Sequence, residues 1–270
     1  MPWSRDSNGE PEDIVSHTQD PPLVIAHRGA SAYRPENTFS AYTLALEQRA
    51  DMIEIDLHLS RDGAIVIAHD AKLARLGGEG VIGDRSLEEL KRLDAGQGGD
   101  AHATIPTLDE VLDAFGPRAP FNLELKAAPG GAYRGLEAAT LEAVERRGLL
   151  DKTLFSSFRD EILGELRRLS PAARLAVLVD PRQPEPRRML ERAEALGAEA
   201  VNPHFSLANP ECIRDAHAAG LAVNAYTVDD PGWMQGLMDN GIDGLFTNCP
   251  DTLRALVDAR AAGGAKAGES

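Results

Sequence analysis

A (β/α)₈ barrel with a small insertion after its second strand is the fold that the sequence predicts, on three observations. Short aliphatic runs alternate with helix-period segments along the chain, giving eight strand–helix pairs once one hairpin strand is set aside. The length of 270 residues suits this fold, whose typical size is about 250 residues. An open doubly wound sheet is the competitor, but the first strand lacks the Gly-x-Gly-x-x-Gly turn that such sheets carry.

The elements follow in order. Leu23–His27, an apolar run between Pro22 and Gly29, reads as a buried strand. Residues 36–50 place Phe39, Tyr42, Leu46 and their neighbours at helical spacing, with Glu36 or Asn37 near the start. Met52–Leu57 and Ala64–His69, turned by Asp62-Gly63, predict a hairpin. Residues 71–105 are Gly-rich, with one short helical stretch near 86–93, and read as an elaborated loop, too small to bury much surface alone. Alternation then resumes with helix 107–115, strand 121–126, helix 136–147, strand 153–158, helix 161–169 and strand 174–179. Helix 186–196, strand 199–202, helix 210–219, strand 222–227, helix 231–240, strand 244–247 and helix 250–262 complete the series. Gly148, Gly197, Gly220 and Gly241 sit just past helix ends, where a left-handed residue is favoured. The expected organisation is a polar, disordered tail over 1–20, one barrel domain over 21–262 and a flexible tail over 263–270.

Composition narrows the function. Twenty-eight Lys and Arg stand against 43 Asp and Glu, a net charge of −15. That balance argues against nucleic acid, which needs clustered cations to displace counterions, and against general attraction to anionic membranes. The two cysteines, Cys212 and Cys249, form no C-x-x-C pair. With no apolar leader-like run among the first twenty residues, a reducing, cytoplasmic setting is expected.

Polar residues are expensive inside strands unless they face a site. Here they gather at the C-terminal ends of the early strands: His27 and Arg28, then Glu54 and Asp56, then Glu124 and Lys126. Residues i and i+2 of a strand share a face, so Glu54 and Asp56 point together, as do Asn122, Glu124 and Lys126. In a barrel these ends converge on the mouth where active sites lie. Three carboxylates there repel one another unless a cation intervenes, and a hard divalent ion with oxygen ligands, Mg²⁺ or Ca²⁺, meets that need. Each residue also has a plainer reading: Glu54 or Asp56 as a surface acid, Glu124 and Lys126 as a structural ion pair, the histidines as satisfied core residues, Arg28 as a salt-bridge partner. One arrangement nevertheless accounts for all of the strand ends together. Glu36 and Asn37 either line the site or fix a helix start, and Ser157 suits a structural or phosphate contact. His204, after the sixth strand, is placed to reach a leaving group; Tyr226 and Phe205 would form an apolar side of the mouth. His17, His58, His102 and His217 read as loop or surface residues.

The segments Ala26-His-Arg-Gly-Ala-Ser31, Pro35-Glu-Asn-Thr38, Glu54-Ile-Asp56, Asp62-Gly63, Ala68-His-Asp70, Asn122-Leu-Glu-Leu-Lys126 and Thr247-Asn-Cys-Pro-Asp251 follow one another in order. Together they closely resemble the glycerophosphodiester phosphodiesterase family, over about residues 23–256. The resemblance implies a TIM barrel with Glu54, Asp56 and Glu124 as metal ligands and His27 and His69 as the acid–base pair. Arg28 and Lys126 would hold the phosphate, with His204 and Tyr226 beside the substrate. The implied reaction is hydrolysis of small glycerophosphodiesters such as glycerophosphocholine to an alcohol and glycerol 3-phosphate, with the substrate's own 2-hydroxyl as attacker, giving a cyclic phosphate that water then opens. Ser60 stands where the family often has Thr, and Tyr226 where Trp is common, which changes the aromatic wall.

Three rivals remain at this stage. A lysophospholipase D-like enzyme would want an apolar groove or docking loop, and the insertion has only scattered Leu, so no stable membrane association is expected. A non-catalytic phosphate- or polyol-binding barrel should have lost a ligand or a histidine, and none is missing. A Mg²⁺-dependent lyase using Lys126 as base would need no histidine pair. The sequence leaves the oligomeric state open.

Overall fold

The computed structural model describes residues 21–96, 103–182 and 186–267. Eight parallel strands close into a barrel: β1 (Leu23–His27), β2 (Met52–Leu59), β4 (Phe121–Leu125), β5 (Thr153–Ser157), β6 (Arg174–Val179), β7 (Ala200–Pro203), β8 (Ala222–Ala225) and β9 (Gly244–Thr247). Closure comes from β1, which pairs in parallel with both β2 and β9. The remaining strand, β3 (Ile65–Ile67), lies antiparallel on β2 outside the ring, as the Asp62-Gly63 turn predicts. The helices are α1 (Phe39–Glu47), a one-turn α2 (Leu87–Leu90), α3 (Leu108–Phe115), α4 (Leu136–Glu145) and α5 (Asp160–Leu169). They continue with α6 (Pro186–Leu196), α7 (Pro210–Ala218), α8 (Pro231–Asp239) and α9 (Pro250–Ala267).

The main core lies between barrel and helices. Outward residues of the strands, among them Ile53, Ile55, Phe121, Leu123, Phe155 and Val177, pack with Leu108, Val111, Phe115, Ile162 and Leu166 from the helices. Caps set the helix starts: Thr38 caps α1, Ser86 and Thr107 form capping boxes on α2 and α3, and Asn209 and Asp230 cap α7 and α8 ahead of a proline. Gly148, Gly197, Gly220 and Gly241 all adopt positive φ, as their places predict.

Inside the ring the alternate residues are polar towards the mouth and form two small apolar clusters below it. Leu154, Ala176 and Ala200 form one small cluster, and Ile25, Met52 and Phe246 another. Between the strands runs a chain of buried amides: Asn224 Nδ2 donates to Asn202 Oδ1 at 3.1 Å, and Asn122 Nδ2 donates to the Ser156 hydroxyl at 2.8 Å. Gly244 is demanded by this packing, since a Cβ there would come within 2.5 Å of Asn224 Oδ1.

Some boundaries differ from expectation. The first helix begins at Phe39, because Asn37 is left-handed and Thr38 is the cap, so Glu36 and Asn37 are freed for the site. Strand β2 runs on to Leu59, which turns His58 inward; it is 1% exposed and not the loop residue that was expected. His217 is also no free surface group, since its Nε2 lies 2.7 Å from Asp243 Oδ2. The last helix continues to Ala267, through the start of the tail expected over 263–270. The tail expected over 1–20, together with His17 and His102, lies outside the described residues. The described part of the insertion is a looped segment with 3₁₀ turns at Leu73–Leu76 and Ile82–Asp84; Leu73, Ile82, Leu90, Ala95 and Ile105 pack with Val66 and Ala68 in a small core.

Candidate active site

Strand register assembles the site. His27 lies beside Glu54, Glu54 beside Asn122, and Asp56 beside Glu124, across three adjoining strands. All face into the ring, where the alternation of side chains places them. A cavity of about 160 Å³ opens there, lined among others by His27, Arg28, Glu54, His69, Glu124 and Lys126.

The three carboxylates form one cluster. Glu54, Asp56 and Glu124 each offer an oxygen within 4.8 Å of the others, and all three are buried. Glu54 takes the backbone N–H of Arg28 on Oε2 at 2.9 Å, while its Oε1 is buried with no hydrogen-bond partner. Burial, then the charges of Asp56 and Glu124, push the Glu54 carboxyl well above the usual range; burial also raises Glu124. Asp56 goes the other way. Burial opposes its charge, but Lys126 and Arg28 outweigh it and hold the carboxyl below the usual range. Lys126 Nζ sits 2.8 Å from Asp56 Oδ1 and 2.5 Å from Glu124 Oε1.

Arg28 and Asn37 hold the loop after β1 against this cluster. Arg28 Nε lies 3.1 Å from Asp56 Oδ2, and its Nη1 donates to Glu36 Oε2 at 2.9 Å. Asn37 Nδ2 donates to Asp56 Oδ2 at 2.8 Å, and the Tyr42 hydroxyl donates to Asn37 Oδ1 at 3.1 Å. Arg28 and Asn37 both adopt the left-handed backbone region, at φ 59° and 58°. Such residues cost about 1–3 kcal/mol each and cluster where a site over-determines them. Gly29 has φ 83°, and a Cβ there would meet Ala41 at 2.6 Å, so this loop can lie close against α1 only with glycine.

The histidines flank the cavity. His27 Nδ1 lies 2.7 Å from Asn248 Oδ1, and burial followed by the charge of Arg28 pulls its pKa down to about 4. His69 Nδ1 lies 3.1 Å from Asp70 Oδ1, and burial lowers its pKa as well. Arg75 of the insertion stands 3.2 Å from Glu36 Oε1 and 3.5 Å from Asp70 Oδ2, between the two carboxylates that reach Arg28 and His69.

The outer residues divide. Tyr226 lines the cavity, but its hydroxyl donates to the Val179 carbonyl at 2.7 Å, so it presents its ring. His204 is not among the cavity residues; it packs against the Tyr226 and Phe205 rings at 5.8 and 4.5 Å, and its Nδ1 is 2.8 Å from Ser206 Oγ. Phe158, 38% exposed, also packs edge-on with Tyr226 at 5.9 Å, and Trp233, 53% exposed, packs on Phe205, giving an aromatic rim. Ser157 Oγ donates to the Leu125 carbonyl at 2.8 Å, a contact within the barrel wall. The sequence names Asn122 and, within the Thr247–Asp251 segment, Asn248, without giving either a role, and it does not point to Asp229 or Phe158. Only Asn122 carried a local signal, sharing the face of Glu124 and Lys126.

The sequence profile of the glycerophosphoryl diester phosphodiesterase family matches residues 27–252. The chain is 34% identical over 255 residues to a glycerophosphodiester phosphodiesterase of Bacillus subtilis, covering 87% of this chain and 86% of that one. It is 35% identical over 240 residues to one of Caldanaerobacter subterraneus, covering 87% of this chain and 97% of that one. Among solved structures, an Oleispira antarctica phosphodiesterase in complex with the product sn-glycerol-3-phosphate superposes with a TM-score of 0.82 at 35% identity, over 88% of this chain and 97% of that chain.

Proposed function

Because the chain belongs to the glycerophosphoryl diester phosphodiesterase family and is an enzyme of that kind, we propose that it hydrolyses water-soluble glycerophosphodiesters, glycerophosphocholine among them, to an alcohol and sn-glycerol 3-phosphate, with a divalent cation held by Glu54, Asp56 and Glu124. The observation that carries this reading is the buried carboxylate cluster opening on the same cavity as two histidines and two cations. The Oleispira antarctica relative holds sn-glycerol-3-phosphate as its product, which fits a small phosphate ester in the same place here.

Charge balance supports the cation. Three ionised carboxylates against Arg28 and Lys126 leave one negative charge in excess, and a phosphodiester brings another. A divalent ion offsets both. It would also give Glu54 Oε1 the partner it lacks, and an all-oxygen donor set suits Mg²⁺ or Ca²⁺. When bound, such an ion supplies Lewis-acid neutralisation of the phosphoryl oxygens.

The chain's own groups supply the rest. Lys126 has three N–H donors, of which Asp56 and Glu124 take two, leaving one for a phosphoryl oxygen. Arg28, pinned by Glu36 and Asp56, presents its remaining donors in a fixed fork. Both charges gain strength at a phosphorus centre where negative charge builds as the ester bond breaks. His27 and His69 divide the proton work, one taking a proton from the attacking hydroxyl and the other giving one to the departing alkoxide. Tyr226 and Phe158 face the alcohol with rings, and His204 shapes the outer rim behind them.

The aromatic rim gives the lysolipid reading one observation in its favour, since Trp233 and Phe158 would suit an acyl chain. Both readings are tested by ³¹P NMR of the purified chain with Mg²⁺ or Ca²⁺. Glycerol 3-phosphate formed from glycerophosphocholine, and abolished by EDTA, is the expected result. Turnover of lysophosphatidylcholine alone would transfer the assignment to lysolipids, and silence with both would sink the catalytic reading. His27→Ala and His69→Ala should each lower turnover at least about a hundredfold while the chain stays folded.

A further inference from the structure

We propose that Asp229 and Asn248 are positioning residues that fix His27 in the tautomer carrying its proton on Nδ1, so that Nε2 turns a lone pair to the cavity. The proposal rests on the reading of His27 as a proton-transfer group.

The argument runs from Asp229 inward. Asp229 follows β8, and Asn248 follows β9. The Asp229 carboxylate collects four donors: Oδ1 accepts from the Asn248 backbone N–H at 2.8 Å, from the Thr247 hydroxyl at 3.0 Å and from the Cys249 thiol at 3.7 Å, and Oδ2 accepts from Asn248 Nδ2 at 2.6 Å. A carboxylate only accepts, so the Asn248 side chain must turn its NH₂ toward Asp229 and its carbonyl oxygen away. That oxygen faces His27 Nδ1 at 2.7 Å. A carbonyl oxygen likewise only accepts, so the Nδ1 it meets must carry hydrogen. In the neutral ring the lone pair then belongs to Nε2. Ser31 does not compete for this order. Its hydroxyl stands 2.7 Å from the His27 carbonyl and 2.8 Å from Asn248 Oδ1, and its one proton suits either acceptor.

The opposite arrangement is costly. Flipping Asn248 would set its carbonyl oxygen 2.6 Å from a carboxylate oxygen with no hydrogen between them, two acceptors facing each other. The chain therefore reads imidazole through an amide. Asp229 sets the orientation of Asn248, Asn248 sets the tautomer of His27, and Nδ1 meets an amide oxygen rather than a carboxylate. His69 is built differently, with the Asp70 carboxylate itself beside Nδ1. The backbone ties the same elements, since the Ala32 N–H donates to the Asn248 carbonyl at 2.9 Å and holds the loop after β1 to the end of β9.

The near-isosteric Asp229→Asn is the informative variant. Its single amide oxygen cannot serve both the backbone side and the Asn248 side. Keeping that oxygen on Asn248 N–H and Thr247 turns its NH₂ toward Asn248, which then flips and offers NH₂ to His27 Nδ1. The ring is driven to the Nε2–H tautomer, a change that in other histidine sites stops proton transfer while leaving geometry intact.

Long-range ¹H–¹⁵N correlation spectra of the full chain, with His27 assigned by its loss in His27→Gln, read the tautomer directly. The expected result is a protonated Nδ1 and an unprotonated Nε2 in the unaltered chain, inverted in Asp229→Asn. With glycerophosphocholine, that variant should lose at least about a hundredfold in kcat while KM moves by less than about threefold. An Nε2–H signature in the unaltered chain overturns the proposal, whatever becomes of the variant's folding. So does an Asp229→Asn chain that keeps the Nδ1–H form and near-normal kcat. If the tautomers behave as expected but no chain turns over any diester, the positioning role stands and the assignment of His27 to the reaction falls.

Discussion

At the residue scale, polarity inside the ring separates groups that serve the cavity from groups that only survive burial. His58 is of the second kind. Its Nδ1 lies 2.9 Å from the Tyr133 hydroxyl and its Nε2 is 3.2 Å from the His69 carbonyl, and burial pulls its pKa from 6.5 down to about 4. Between those values the unfolded chain binds a proton that the folded chain refuses, so stability is full above pH 6.5 and falls as pH drops towards 4. His58 accounts for at most about 3 kcal/mol of that loss. Urea unfolding at steps from pH 7.5 to 4.5 should give a falling midpoint, with a shallower fall in His58→Gln; parallel slopes in the two chains would deny His58 this role. The residue was legible and was missed. It continues the i, i+2 parity of Glu54 and Asp56, and ending the strand at Leu57 hid it. Glu54, Asp56 and Glu124 were read by that same parity, and the structure brings them into one cluster.

At the scale of elements, the loop from Arg28 to Thr38 decides how the site is held. It leaves β1, contributes three positive-φ residues (Arg28, Gly29 and Asn37), and re-enters α1 at a cap, where Thr38 Oγ1 accepts from the Ala41 N–H at 3.3 Å. Thr38→Ala should cost about 1 kcal/mol of stability, seen as a lowered urea midpoint. Because Asn37 is next in the chain and touches Asp56, the same change should also weaken cation binding, measured by calorimetric titration. An unchanged affinity would mean that the cap acts on α1 alone. Elements whose ends are marked by proline, glycine or an abrupt change of polarity were placed correctly from sequence: β1, β6, α6 and β9 match residue for residue. Helix α1 was begun too early, because the pattern of apolar residues carries no record that Asn37 adopts positive φ. The pairing of Asp229 with Asn248 spans 19 residues and two strands, and no local pattern reports it.

At the scale of the whole molecule, eight strands with helices between them create a mouth where carboxylates from β2 and β4 meet at close range. On the proposed reading, that crowding destabilises the chain without a cation and a divalent ion relieves it. Glu54→Gln should therefore raise the thermal midpoint in EDTA, because it removes one of three repelling acids, and should abolish the further rise that Mg²⁺ or Ca²⁺ gives the unaltered chain. At a cation concentration a hundredfold above the Kd that rise corresponds to about 2.7 kcal/mol. Scanning calorimetry with and without EDTA checks both. A cation effect that persists in Glu54→Gln would place the ion elsewhere. The barrel itself was legible from the count of strand–helix pairs and the length. Closure was not, since β1 and β9 lie more than two hundred residues apart and pair only in three dimensions.

That closure has a consequence for timing. The barrel's first strand carries His27, yet it waits for β9 before its second edge is paired, and for Asn248 before its imidazole has a partner. Until about residue 248 has emerged from the exit tunnel, the nascent chain holds an open sheet with an unpaired edge, the state in which strands recruit wrong neighbours. Catalytic competence therefore waits for β9, and a chain released before it is both inert and prone to association.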